Sequence, residues 1–174
     1  MPLKKSITSK LDKPTAHTKS KLRANLAGVA GEYFVAAELS RRGWICSITL
    51  RNTPDVDILV ANQNASRSAT IQCKTNQSGR KVWQLRKSCE DNPSENHFYV
   101  FVNLGSIDEL PTYHVVPSQV VADHVKYYHG LWLKKQKVVP PYAEEMRRYS
   151  DPGNVYLGKW EVLESYLNSA SASV

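Results

Sequence analysis

From Leu22 to Arg42 apolar residues recur at steps of three and four: Leu22, Leu26, Val29, Tyr33 and Ala37. That period predicts a helix, and Gly43 stands where it should stop. Gly28 and Gly31 interrupt it, each costing about 1 kcal/mol relative to alanine. Such a cost is expected where the helix packs closely on a sheet or lies beside a ligand. Beyond Gly43 the pattern changes to short apolar runs. Residues 44–50 and 56–61 read as strands joined by the turn Arg51-Asn52-Thr53-Pro54, and 69–75 reads as a third after the polar connection 62–68. The segment 76–81, with Gly79, reads as a loop. Residues 83–89 fit either a short helix or irregular structure. The run from His97 to Leu104 is apolar enough for a central strand, and 113–116 is a shorter one. Pro117 opens a helix to about Lys126, with Val120, Val121, His124 and Val125 on one face. Residues 129–154 are rich in Lys, Arg, Pro and Tyr and read as an irregular wrap. A closing helix is expected over 160–167.

Helix, three strands, a weak element, two strands and a helix imply an α/β fold with a mixed central β-sheet flanked by helices. One domain over residues 22–167 is expected, preceded by a disordered basic tail (1–21) and followed by a small-residue tail (168–174). At 174 residues, with 41% hydrophobic and 22% charged residues, the chain has the composition of a globular domain. No apolar run approaches the roughly 20 residues that span a bilayer, and no apolar segment follows the basic start as a secretory signal requires. Cys46, Cys73 and Cys89 are odd in number and lack the CxxC spacing of a zinc site. They suit a reducing cytoplasm, with Cys46 and Cys73 as small buried hydrophobes. The net charge of +7 is concentrated at the start, where seven basic residues face Asp12 alone within the first 23 positions. Arms of that kind bind nucleic acid through its phosphates, or are simply solvated leaders.

The residues with the most chemistry are Glu32 on the first helix, Asp57 at the opening of a strand, and Ile71-Gln72-Cys73-Lys74 on the next strand. Mg²⁺ takes oxygen ligands and is usually held by one or two carboxylates together with substrate phosphate. Gln72 and Lys74 are two apart on a strand and therefore share a face, while Ile71 and Cys73 share the other. An acid on a helix, an acid opening a strand and a polar-x-Lys strand together suit metal-assisted phosphodiester hydrolysis.

In this order and on these elements, three segments resemble the PD-(D/E)xK nuclease superfamily of restriction endonucleases, Holliday-junction resolvases and some homing endonucleases. They are Gly28-Val29-Ala30-Gly31-Glu32, Pro54-Asp55-Val56-Asp57-Ile58-Leu59-Val60 and Ile71-Gln72-Cys73-Lys74, and the resemblance covers about residues 24–118. It implies a restriction-endonuclease-like core and a Mg²⁺-dependent (or Mn²⁺-dependent) DNA endonuclease. Asp57, Gln72 and Glu32 would hold metal, and Lys74 would position the attacking water. Asp55 is the reserve for Asp57. Gln72 departs from the usual Asp or Glu, keeping an oxygen ligand but losing a negative charge; a homing-endonuclease branch is similar in carrying Gln there. Cutting both strands implies a homodimer or higher oligomer, because one site faces one phosphodiester at a time.

Arg80, Lys81, Arg86 and Lys87, with Trp83 among them, are candidates for the phosphate backbone or for stacking on a base. The plain alternative is a solvated loop with Trp83 covering the core. Lys134, Lys135 and Lys137, near Trp132 and Tyr142, form a second basic run with the same two readings. The five histidines show no metal spacing. Two other functions stay open: a nucleic-acid-binding relative without turnover, and a protein-interaction module using the Tyr-rich stretch 127–156.

Overall fold

The computed structural model describes residues 22–50 and 53–169. The basic tail and residues 170–174 lie outside that range. Helix α1 (Ala24–Arg41) is followed by strands β1 (Ile45–Ile48), β2 (Ile58–Ala61), β3 (Ser68–Asn76) and β4 (Val82–Arg86). Then come the short α2 (Ser88–Asp91), β5 (His97–Asn103), β6 (Thr112–Pro117), α3 (Ser118–Leu133), a 3₁₀ turn (Pro141–Ala143), β7 (Met146–Ser150) and α4 (Glu161–Asn168). The first helix ends as its glycine foretells. Gly43 adopts φ +85°, its N–H donates to Ser40 and the Trp44 N–H donates to Leu39, a paired closure that satisfies the last carbonyls.

Five strands form the main sheet in the order β1-β2-β3-β5-β6. Neighbours are antiparallel except β3 and β5, which run parallel with Gln72 opposite Tyr99 and Lys74 opposite Phe101. The expected mixed sheet flanked by helices is therefore the observed one. Strand β5 is buried on both faces along nearly its whole length, in keeping with its continuous apolar run.

The period of two divides the sheet's residues between two cores. Ile58, Val60, Ala69, Ile71, Cys73, Phe98 and Val100 face α1 and α4. Tyr99, Phe101 and Val116 face the opposite way, into a second cluster with α3 and the β4–β7 ribbon. Gly31 marks the closest approach of α1 to the sheet: a Cβ there would stand 1.9 Å from Thr75 Oγ1 and 3.0 Å from Thr75 Cβ. Gly28 has no neighbour within 4 Å of such a Cβ, so only the second glycine is explained by packing.

Three elements differ from the sequence reading. Residues 82–86 are neither helical nor irregular but a strand, paired antiparallel with β7. Trp83 is buried, and its indole N–H donates to the Val102 carbonyl at 3.2 Å. It is a core residue rather than a base-stacking one. The stretch 129–154 contains the end of α3 and all of β7, because α3 continues to Leu133 rather than stopping near Lys126. Two buried pairs fix this region, one to α2 and one to the main sheet. Arg147 bonds Glu90 as well as the Ala143 carbonyl. His114 Nδ1 lies 2.7 Å from Asp151, which also accepts the Val155 and Tyr156 N–H groups. Burial alone would raise the Asp151 pKa, but those N–H donors and His114 outweigh it and hold the carboxyl below its ordinary range.

Candidate active site

The candidate site is assembled where β2 begins beside the middle of β3. Asp57 is held by its backbone on both sides: its N–H donates to the Ile71 carbonyl, and its carbonyl accepts the Thr49 N–H, both at 2.9 Å. Thr49 Oγ1 adds a 2.6 Å bond to the Val56 carbonyl. The Asp57 carboxylate then accepts the Cys73 N–H at 2.7 Å, which draws it against the strand between Gln72 and Lys74. A charge-assisted bond of this length orients the carboxylate firmly.

Gln72 is buried, at 6% exposure, and its amide donates to Asp55 Oδ1 at 3.1 Å. Asp55 itself sits in the left-handed region at φ 58°, a conformation that Asp tolerates better than most residues. The turn therefore directs two carboxylates at adjacent positions of β3, Asp55 at Gln72 and Asp57 at Cys73. Donating its N–H groups to Asp55 leaves the Gln72 carbonyl oxygen as its remaining ligating atom.

Lys74 is half-buried and shares a face with Gln72, opposite Phe101 on β5. Among the described residues it forms no hydrogen bond or ion pair. Glu32 follows the close-packed Gly31 and approaches from the α1 side. The Cys73 thiol lies among these groups: burial pushes its pKa well up, the charges of Asp57 and Glu32 push it further, and Lys74 opposes them. Cys73 is thus a protonated core residue and no nucleophile. The Cys89 thiol is likewise pushed up to about 12, chiefly by burial and then by Glu90.

His97 belongs to this neighbourhood, although its spacing in the chain suggested nothing. Its Nδ1 is 2.8 Å from Thr70 Oγ1, and its ring meets Tyr99 edge-on at 5.1 Å. Burial lowers its pKa, while Asp55 and Asp57 pull it partly back. The placement comes from the parallel pairing of β3 with β5, which sets His97 opposite Thr70.

A histidine with a folded-state pKa below 6.5 takes up its proton first in the unfolded chain. Its stabilisation is therefore complete above about 6.5 and is lost as the pH falls toward the folded value. We expect the melting temperature to drop between pH 7 and pH 5, and His97→Asn to flatten that slope. An unchanged slope would contradict the burial of a neutral His97.

The four basic residues after β3 form two pairs at opposite ends of β4. At about 3.3 Å per residue, Lys81 and Arg86 are roughly 17 Å apart along the strand. Arg80, Arg86 and Lys87 are exposed, whereas the Lys81 ammonium lies 3.4 Å from the Pro152 carbonyl.

Among the described residues no three His, Cys, Asp or Glu side chains cluster closely enough to form a metal site by themselves. The donors gathered around β3 are two aspartates and an amide oxygen, a hard-oxygen set of the kind that suits Mg²⁺ or Mn²⁺. Among the described residues no helix is long and apolar enough to cross a membrane.

No family model and no curated protein matches the chain. Among solved structures it is similar to a bacterial homing endonuclease, with a TM-score of 0.47 and 10% identity over 82% of this chain and 92% of that one. It is also similar to a Holliday junction resolvase from the archaeal hyperthermophile Archaeoglobus fulgidus, with a TM-score of 0.42 and 11% identity over 71% of this chain and 84% of that one.

Proposed function

We propose that the protein is a metal-dependent DNA endonuclease that hydrolyses phosphodiester bonds at the β2–β3 junction. The observation that supports this most is the pair of hydrogen bonds setting Asp57 against the Cys73 N–H and Asp55 against the Gln72 amide. Those bonds bring two anionic groups and one neutral oxygen donor to adjacent positions, with Lys74 one residue on.

Asp57 and Gln72 would hold Mg²⁺ or Mn²⁺, with Glu32 supporting its hydration shell or a second cation. When bound, the cation supplies charge neutralisation for the phosphate and a lowered pKa for water. Lys74 donates to the attacking water and to the negative charge that develops on the phosphate oxygens. Asp57, fixed by the Cys73 N–H, keeps its acceptor oxygens in place without reorganising.

Asp55 explains how a glutamine can stand at position 72. A carboxylate there would face the Asp55 carboxylate as a like charge. The amide instead donates to it, and Asp55 returns the negative charge that Gln72 lacks. Gln72→Glu alone is therefore expected to reduce stability in the absence of metal. Asp55→Asn combined with Gln72→Glu, which exchanges the two groups, should recover both stability and cleavage. Thermal melts in EDTA with parallel nicking assays read this out. A fully stable and active single Gln72→Glu protein would remove Asp55 from the site.

The function itself is tested by nicking of supercoiled plasmid. The protein should convert it to open-circular or linear DNA with Mg²⁺ or Mn²⁺ and leave it intact in EDTA. A protein that binds DNA but cuts with neither metal would be a binding relative. A second copy is proposed as the means of cutting the opposite strand. In that arrangement the exposed Arg80, Arg86 and Lys87, with Lys81, hold phosphates away from the scissile bond.

A further inference from the structure

A cavity of about 320 Å³ lies on the outer side of the β4–β7 ribbon, away from the core that Trp83, Leu85 and Tyr149 fill. One wall is α3, which presents His124, Tyr128 and Trp132 at steps of four, on a single face. The other wall is β7, whose alternate residues Met146, Arg148 and Ser150 point outward. Tyr142 also lines it. These rings are not core: Tyr128 is 53% and Tyr142 56% exposed.

We propose that this cavity binds an unstacked nucleobase of a DNA strand, with the cations around it on the adjoining phosphates. Three features select that occupant. Aromatic walls offer sequence-tolerant stacking to any base. Polar groups sit among them: the Ser150 N–H donates to His124 Nε2 at 3.3 Å, which leaves Nδ1 of the neutral ring as the donor. Cations line the cavity or adjoin its lining residues. Arg148 lines the cavity, Arg86 lies on the same outer ribbon face opposite Met146, and the exposed Lys134, Lys135 and Lys137 follow Trp132 directly. Glu144 and Glu145 follow the lining residue Ala143, and Asp123 precedes His124, so these three acids adjoin the lining in the chain against the five cations. A purely apolar partner would leave the cations without a role, and a base inside a duplex cannot enter a concave pocket without leaving its stack.

The choice of DNA as the polymer rests on the endonuclease reading, which this site would refine: the substrate carries unpaired or readily extruded nucleotides. The test is fluorescence anisotropy in EDTA, where no cleavage can occur, on the full chain. The probes are a short labelled strand of mixed sequence and the same strand annealed to its complement. The wild type should bind the single strand more tightly than the duplex. Trp132→Ala should weaken single-strand binding by about tenfold. Tyr128→Ala and Arg148→Gln, both at exposed positions, should each weaken it several-fold with an unchanged melting temperature, and Trp132→Phe should retain most of it. Single-strand affinity no better than that for duplex, or unmoved by Trp132→Ala and Tyr128→Ala, overturns the proposal; so does binding of a protein partner at this face without nucleic acid. The two readings fail separately: nicking that persists while the cavity variants have no effect removes this site alone, whereas single-strand binding lost in those variants without nicking by any metal removes the endonuclease alone.

Discussion

Replacing Lys74 with alanine should lower metal-dependent nicking by about 10²–10³-fold, the usual cost of losing one donor to charge developing in a transition state. Asp57→Ala should lower it at least as far, because it removes a cation ligand and leaves the Cys73 N–H without its 2.7 Å acceptor. The two losses should differ in kind. Lys74 forms no ion pair among the described residues, so Lys74→Ala should keep the wild-type melting temperature and its stabilisation by Mn²⁺. Asp57→Ala should lose that metal-dependent stabilisation, since only a ligand that binds the folded state raises its melting point. Nicking by both variants at the wild-type rate would dissociate these residues from the chemistry.

The largest effect away from the chemical groups is expected at Gly31. A methyl group there meets Thr75 from Oγ1 to Cβ, so no rotation of the threonine relieves the contact. Overpacking of this kind costs about 1–3 kcal/mol, against a helix-propensity gain of about 1 kcal/mol. Gly31→Ala should therefore destabilise the protein and shift Glu32, lowering cleavage as well. Thr75→Ala removes the Oγ1 and Cγ2 atoms, leaving only the Cβ contact at 3.0 Å, and with them a buried hydroxyl that has no hydrogen-bond partner among the described residues. The double variant Gly31→Ala/Thr75→Ala should be more stable than Gly31→Ala alone, as urea melts would show. A Gly31→Ala protein as stable as wild type would mean that α1 is free to move on the sheet.

Much of the candidate site is legible in the chain because its parts are local. Gln72 and Lys74 share a face by the period of a strand, and Asp57 directly precedes the apolar Ile58-Leu59-Val60, so neither needs tertiary information. Gly43 and Gly31 were equally informative, one through its left-handed turn and the other through close packing. What could not be read depends on pairing between distant segments. Val82–Arg86 alternates apolar and polar residues, but five residues do not distinguish a strand from a helical turn until Met146–Ser150 pairs with them. His97 comes within the electrostatic influence of the aspartates only through the parallel β3–β5 ladder. The Asp55–Gln72 bond requires an aspartate at φ 58°, and a Pro-Asp turn alone does not specify that.

On the proposed mechanism Asp57 and Gln72, with Lys74 alongside, share one divalent cation. Crystals grown with Mn²⁺ would reveal it by anomalous diffraction. A single anomalous peak in coordinating contact with an Asp57 carboxylate oxygen and the Gln72 carbonyl oxygen, with Lys74 Nζ beside the cation's water, is the predicted map. Well-ordered crystals at saturating Mn²⁺ with no peak at the β2–β3 junction, or with the ion bound elsewhere, would contradict it.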